Sequence, residues 1–226
     1  PETSMNVEYF LRLFFSGLTR GSIYALLALG YTMVYGIIQL INFAHGEIYM
    51  IGAFTALIVA SVLSIFGMPV LAILVLASLV ALLYSSAYGF TIEKVAYKPL
   101  RKAPRLSVLI SAIGMSLFLQ NYVLLAQTSN FLPFPEILPE IRVPGNLGSV
   151  LTGPQLIIFV ATAIVMVLLT ILIKFTRMGK SMRATSQDRT MAMLVGINVN
   201  RVISYTFIIG SFTAALGGIL ISSYIG

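Results

Sequence analysis

The residues best equipped for chemistry in this 226-residue chain lie close together. Asn42-Phe-Ala-His-Gly-Glu47 puts an amide, the only histidine and a carboxylate within six positions. His45 and Glu47 form H-x-E, which in zinc deaminases supplies a metal ligand and a proton shuttle, but those enzymes also need cysteine ligands from a P-C-x-x-C run. The sequence has no cysteine, so that chemistry is excluded, as are a thiolate zinc site, a disulfide scaffold and a cysteine nucleophile. The H-E-x-x-H of a membrane metalloprotease is also absent. With one histidine and seven scattered carboxylates, no metal site built wholly from this chain is expected. Gly179-Lys180-Ser181 imitates the end of a P-loop, yet Lys174 stands where the loop's first glycine belongs. The chain is expected to bind no ATP and no cofactor, and not to be an enzyme.

A second constellation runs from Met178 to Asn200. Between Arg183 and Val195, apolar Ala184, Met191, Ala192, Leu194 and Val195 share good helix formers with Arg183, Gln187, Asp188 and Arg189. This predicts one amphipathic cytoplasmic helix, ended by Gly196 and Asn198. Such a helix could enter a groove on a partner or lie on the anionic inner leaflet. The Asn42 to Glu47 cluster also has two readings. It is a tight cytoplasmic turn shaped by Asn42 or Gly46, or the unwound centre of a discontinuous helix lining a cavity. The second is preferred, and it makes Asn42, His45, Gly46 and Glu47 candidates for a translocation path.

The elements that must position these residues are membrane spans. Hydrophobic residues make up 58% of the chain and charged ones 9%, against about a quarter charged in a soluble domain. Six stretches lack any charge and approach the roughly 20 residues a span needs: Gly21 to Ala44, Ile48 to Met68, Val70 to Ile92, Leu106 to Gln127, Pro154 to Ile173 and Val202 to Gly226. An amphipathic segment around Val7, Phe10, Phe14 and Leu18 precedes them, lying in the interface or crossing as a seventh span. The fold class is therefore all-α, a polytopic bundle of six or seven spans. Pro1 to Ser4 read as an appended remnant, leaving 5–226 as one transmembrane domain.

The net charge of +7 does not point to nucleic acid, because its cations cluster in two loops between apolar stretches. Lys94, Lys98, Arg101, Lys102 and Arg105 form one; Lys174, Arg177, Lys180, Arg183 and Arg189 form the other. Both are assigned to the cytoplasm by the positive-inside rule. The proline-rich loop from Thr128 to Gly153 then faces outward, as a docking surface or a passive connector.

The stretch from Gln39 through Asn42-Phe-Ala-His-Gly-Glu47 to Phe54, with Gly21-Ser-Ile-Tyr-Ala-Leu-Leu-Ala-Leu-Gly30 before it, strongly resembles the permeases of branched-chain amino acid ABC importers. The resemblance covers nearly the whole chain from Met5. Gly179, Arg183-Ala184, Asp188, Ala192, Gly196-Ile197-Asn198 and Arg201-Val202-Ile203 are similar to that family's coupling loop. Ala192 and Gly196 match the last alanine and the glycine of the importers' E-A-A-x-x-x-G signature, while Thr190 and Met191 depart from it.

The resemblance implies that Arg183, Ala184, Asp188, Ala192, Gly196 and Asn198 contact an ATPase. It further implies a second permease subunit, two cytoplasmic ATPase subunits that use the ATP, an external substrate-binding protein, and a multi-pass location in the bacterial inner membrane. Close variants of the Asn42 to Glu47 motif occur in urea and short-chain amide permeases, which remain the alternative substrates. A carrier working alone, with His45 or Glu47 as its ion site, is the alternative mechanism. Family members usually continue through further spans, so the chain is expected to stop short of full length.

Overall fold

The computed structural model describes residues 2–101, 103–127, 132–135 and 151–225, residues 2–6 by backbone alone. Among the described residues there are eight α-helices and no strand: α1 (Glu2–Ile38), α2 (His45–Ile65), α3 (Val70–Ile92), α4 (Arg105–Ala126), α5 (Gly153–Phe175), α6 (Arg177–Gln187), α7 (Arg189–Leu194) and α8 (Val199–Ile225). A π turn, Glu93–Tyr97, continues α3. Six of the helices are long and apolar enough to cross a membrane, so the protein is a multi-pass helical membrane protein.

Turn chemistry sets the ends of several helices. Gly67, at φ 67°, closes α2, and Pro69 precedes α3; glycine takes the left-handed cap without a Cβ penalty. Pro104 precedes α4. The Gln155 side chain accepts from the Thr152 backbone N–H at 3.0 Å where α5 begins.

Three expectations change. The amphipathic start is not a separate element: α1 runs from it into the first apolar run, because no proline divides them and single glycines are too weak to break a helix. Six spans result. The first span ends at Ile38 instead of Ala44, where Gln39 adopts φ 55° and reverses the chain. Neither Asn42 nor Gly46 supplies a left-handed turn, and Gly46 is already inside α2. Finally, the single helix predicted over Arg183 to Val195 is two, divided at Asp188. That residue's extended backbone ends α6, and its side chain starts α7.

Helix α8 is the hub. Lipid tails are as apolar as leucine, so close van der Waals approach must hold spans together, and small residues permit it. A Cβ on Gly30 of α1 would fall 2.2 Å from Thr213 Oγ1 of α8. One on Gly52 of α2 would fall 2.6 Å from Ala215 Cα, and one on Gly89 of α3 would fall 1.8 Å from Ser211 Oγ. Three spans thus each bring a glycine against the same helix. Gly36 meets nothing within 4 Å and has no such role. The opposite faces carry exposed Val160, Ile164, Val167 and Leu168 on α5 and Ile110, Leu117 and Leu125 on α4, as lipid requires.

At the end away from the basic loops, Ser16 Oγ lies 3.2 Å from Tyr224 Oη, which accepts from Gln155 Nε2 at 3.3 Å. Phe134, from the described part of the proline-rich loop, joins the buried cluster that holds Ala56, Ala77 and Ile219. Glu136, Glu140 and Arg142 lie outside the described residues.

Candidate functional site

The segment from Gln39 to Ala44 returns into the bundle before α2 begins, and three helices measure the depth it reaches. His45 Nε2 donates to the Leu27 carbonyl oxygen at 3.2 Å, and its ring stands edge-on to Tyr31. Leu27 precedes Ile38 by eleven residues, about 16 Å at 1.5 Å per residue. On α4, Ser116 Oγ donates to Glu47 Oε1 at 2.9 Å; Ser116 follows Arg105 by eleven residues, again about 16 Å. On α8, Thr213, against Gly30 and thus beside His45, follows Val199 by fourteen residues, about 21 Å. In a hydrocarbon core about 30 Å thick, α2 therefore starts near mid-depth.

Irregular backbone survives there only where protein satisfies its polar groups or it lines a cavity. At the segment's shallow end, Arg189 of α7 donates to the Ile38 carbonyl. Gln39 N–H donates to Tyr35 O at 2.7 Å, and His45 N–H to Asn42 O at 3.2 Å. The Tyr97 hydroxyl is shared between Asn42 Oδ1 at 3.0 Å and Ile41 O at 3.2 Å. Asn42 and His45 are buried, 3% and 2% exposed, whereas Gly46 is exposed and Glu47 half-buried. The structure thus turns the amide and the imidazole into the bundle and leaves the glycine and the carboxylate on its open side. Glu47 sits in the first turn of α2, where the helix dipole favours a negative charge.

The basic loops meet at one end of the bundle. Thr176 caps α6 by accepting from Gly179 N–H at 3.0 Å, and Gly179 lies so close to the end of α5 that a Cβ would fall 2.2 Å from Ile173 O. Arg183 reaches back to the Ile173 carbonyl, while Ala184 packs against the core. Asp188 Oδ1 caps α7, accepting from Thr190 and Met191 N–H at 2.7 and 3.1 Å. At the other end Gly196, at φ 84°, forms a Schellman cap: its N–H bonds Met193 O and that of Ile197 bonds Ala192 O. Asn198 Oδ1 then accepts from Arg201 N–H at the start of α8. Ala192 is the buried foot of α7, and Met191, Met193, Leu194 and Val195 stand exposed around it.

A third group was not singled out from the sequence. Glu93, fully buried at the head of the π turn, is paired with Arg101, accepts from Ser204 Oγ of α8 at 2.8 Å, and has Lys94 Nζ 3.9 Å away. Arg101 also donates to Asn200 Oδ1. Burial lowers the Arg101 pKa from its ordinary value, an effect that Glu93 beside it opposes. An acid among cations was the only signal. Counting lysines and arginines for topology passes over it, and its spacing of eight to Arg101 matches no helical pair. Ser116 and Tyr97 gave no signal either.

Six spans, three of them packed through glycines on α8, a polar break at mid-depth and a capped apolar tip at the basic end fit a multi-pass membrane protein of the transport-permease class. The chain belongs to the family described as branched-chain amino acid transport system / permease component, whose model matches residues 13–226. It is 47% identical over 222 residues to the high-affinity branched-chain amino acid transport system permease protein LivH of Escherichia coli, covering 96% of this chain and 72% of that protein. The LivH of Salmonella typhimurium is 46% identical over the same extent. BraD of Pseudomonas aeruginosa is 46% identical over 224 residues, 97% of this chain and 73% of its own length. No solved structure matches. The family resemblance carried by the Asn42 to Glu47 motif is therefore correct.

Proposed function

We propose that this chain is the permease subunit of an ATP-driven importer that carries branched-chain amino acids across the bacterial inner membrane. It works with a second permease, two cytoplasmic ATPase subunits and an external substrate-binding protein. It binds no ATP, metal or other cofactor and catalyses no reaction itself. The observation that carries this reading is α7. A six-residue helix capped at both ends, exposing Met191, Met193 and Leu194 and, at its C-cap, Val195 at the basic face, fits a groove on a cytoplasmic partner better than a role in the bundle. Closure of the ATPases would push α7 and switch the spans between outward and inward openings.

The path runs past the start of α2. An amino acid zwitterion carries both charges to be met, and the positive end of α2 suits its carboxylate while Glu47 suits its ammonium. Asn42 and His45 hold the segment in place. Discrimination among leucine, isoleucine, valine, urea and amides falls to the external binding protein. The test is uptake of labelled leucine by proteoliposomes containing the complete importer. Uptake that needs both internal ATP and the external binding protein is expected. Uptake driven by an ion gradient with no ATP would overturn the reading in favour of a carrier acting alone.

A further inference from the structure

We infer that Glu93 and Tyr97 are positioning residues that carry the movement of α7 to the intramembrane break; the inference rests on the importer reading above. The connection can be followed atom by atom. Val195 to Asn198 is all that separates α7 from α8, so a push on α7 is delivered to the first turns of α8, which hold Asn200 and Ser204. Both are tied to the end of α3: Ser204 Oγ donates to Glu93 Oε2 at 2.8 Å, and Asn200 Oδ1 accepts from Arg101, which is paired with Glu93. Glu93 opens the π turn, whose Lys98 N–H bonds Glu93 O at 2.8 Å. Tyr97 closes the turn, with its ring packed on Phe207 at 5.1 Å and its hydroxyl on Asn42 and Ile41. Every link is a direct contact, and the last one ends three residues from His45.

Coupling between distant sites needs an element with two discrete arrangements, not merely a row of neighbours. We assign that part to the π turn, which holds one residue more than an α turn and belongs to a class frequent at functional sites. Passing that residue on would rotate the helix beyond it by about 100°, one residue's share of a 3.6-residue turn, and withdraw the Tyr97 hydroxyl from Asn42. A carboxylate with no exposure is costly to keep as a mere fastening, since a well-packed apolar pair would hold as firmly. It is well suited to a joint that must release and re-form.

The experiment uses the complete importer in proteoliposomes with its binding protein, comparing wild type with Glu93→Gln and Tyr97→Phe. Leucine transported per ATP hydrolysed is measured alongside subunit composition. Both variants are expected to assemble and to keep hydrolysing ATP, while transport per ATP falls about tenfold, the scale of a strong coupling residue. Tyr97→Phe removes one oxygen and leaves the ion pair intact, so it decides the matter if Glu93→Gln fails to fold. An unchanged ratio in Tyr97→Phe overturns the inference, as does a proportional loss of hydrolysis and transport, which a purely structural role would give. Neither result touches the importer reading, which fails only if wild-type uptake proceeds without ATP.

Discussion

The interruptions beside α7 and the one before α2 satisfy their backbones by different means. The breaks on either side of α7 cap themselves: Asp188, Gly196 and Asn198 cap the ends they adjoin, through partners within five residues. The break between α1 and α2 makes two local bonds, from Gln39 to Tyr35 and from His45 to Asn42, and borrows the rest of its partners. Ile38 O is met by Arg189, 151 positions away, and Ile41 O by Tyr97, 56 positions away. The difference follows from the solvent. Water reaches any group the breaks beside α7 leave open, whereas in the hydrocarbon core each unsatisfied group costs several kcal/mol. A self-capped break keeps the shape of the tip, which Arg189 and Ala192 tie to the bundle. A borrowed one must change when its lenders move, which suits the first for being pushed and the second for responding.

That contrast can be broken at either end. The largest effect is expected from Arg101→Met, which leaves Glu93 buried without its main cation; removing one partner of a buried pair costs about 3–5 kcal/mol. The unfolding midpoint of the purified protein in a denaturing detergent series should fall accordingly. Tyr97→Phe withdraws the hydroxyl that serves both Asn42 and Ile41, and its cost should be about 1–3 kcal/mol, the price of a buried acceptor left unmade. A cost near zero in the same series would mean that the intramembrane break does not depend on borrowed donors.

Smaller effects belong to the breaks at the basic end. Gly196→Ala forces a Cβ into left-handed backbone and should cost about 1–2 kcal/mol, read as faster proteolysis at α7 and not as a lower midpoint for the bundle. Asp188→Ala should cost about 1 kcal/mol and Asp188→Asn far less, since asparagine caps nearly as well. Hydrogen exchange of the α7 amides would separate the two. If either substitution loosened the spans, the tip would not be self-contained.

The same contrast explains what the sequence could convey. Asp188 and Gly196 are local signals, and Gly196 and Asn198 are legible as the end of the amphipathic helix; Asp188 reads as one of its polar positions, because good helix formers flank it on both sides. The six spans were legible because lipid demands long apolar runs, and α3 has the predicted bounds, Val70 to Ile92. The polar cluster at Asn42 to Glu47 stood out for the same reason, as polar residues where lipid forbids them. Its depth did not, because that is fixed by Leu27, Ser116 and Tyr97, whose types are ordinary and whose proximity exists only in the folded bundle. Glu93 was hidden likewise, its partners being 8 and 111 positions away.

The central claim is that α7 seats in a cytoplasmic ATPase. Because the chain has no cysteine, one engineered thiol is unique within it. Leu194→Cys on the exposed tip of α7 and Val167→Cys on the lipid-facing side of α5 would each be introduced into the complete importer and treated with a short thiol-reactive photocrosslinker, and the captured subunits identified by mass. Capture of an ATP-hydrolysing subunit from position 194 and not from position 167 is the predicted result; no such subunit at 194, or equal capture at both, would contradict it.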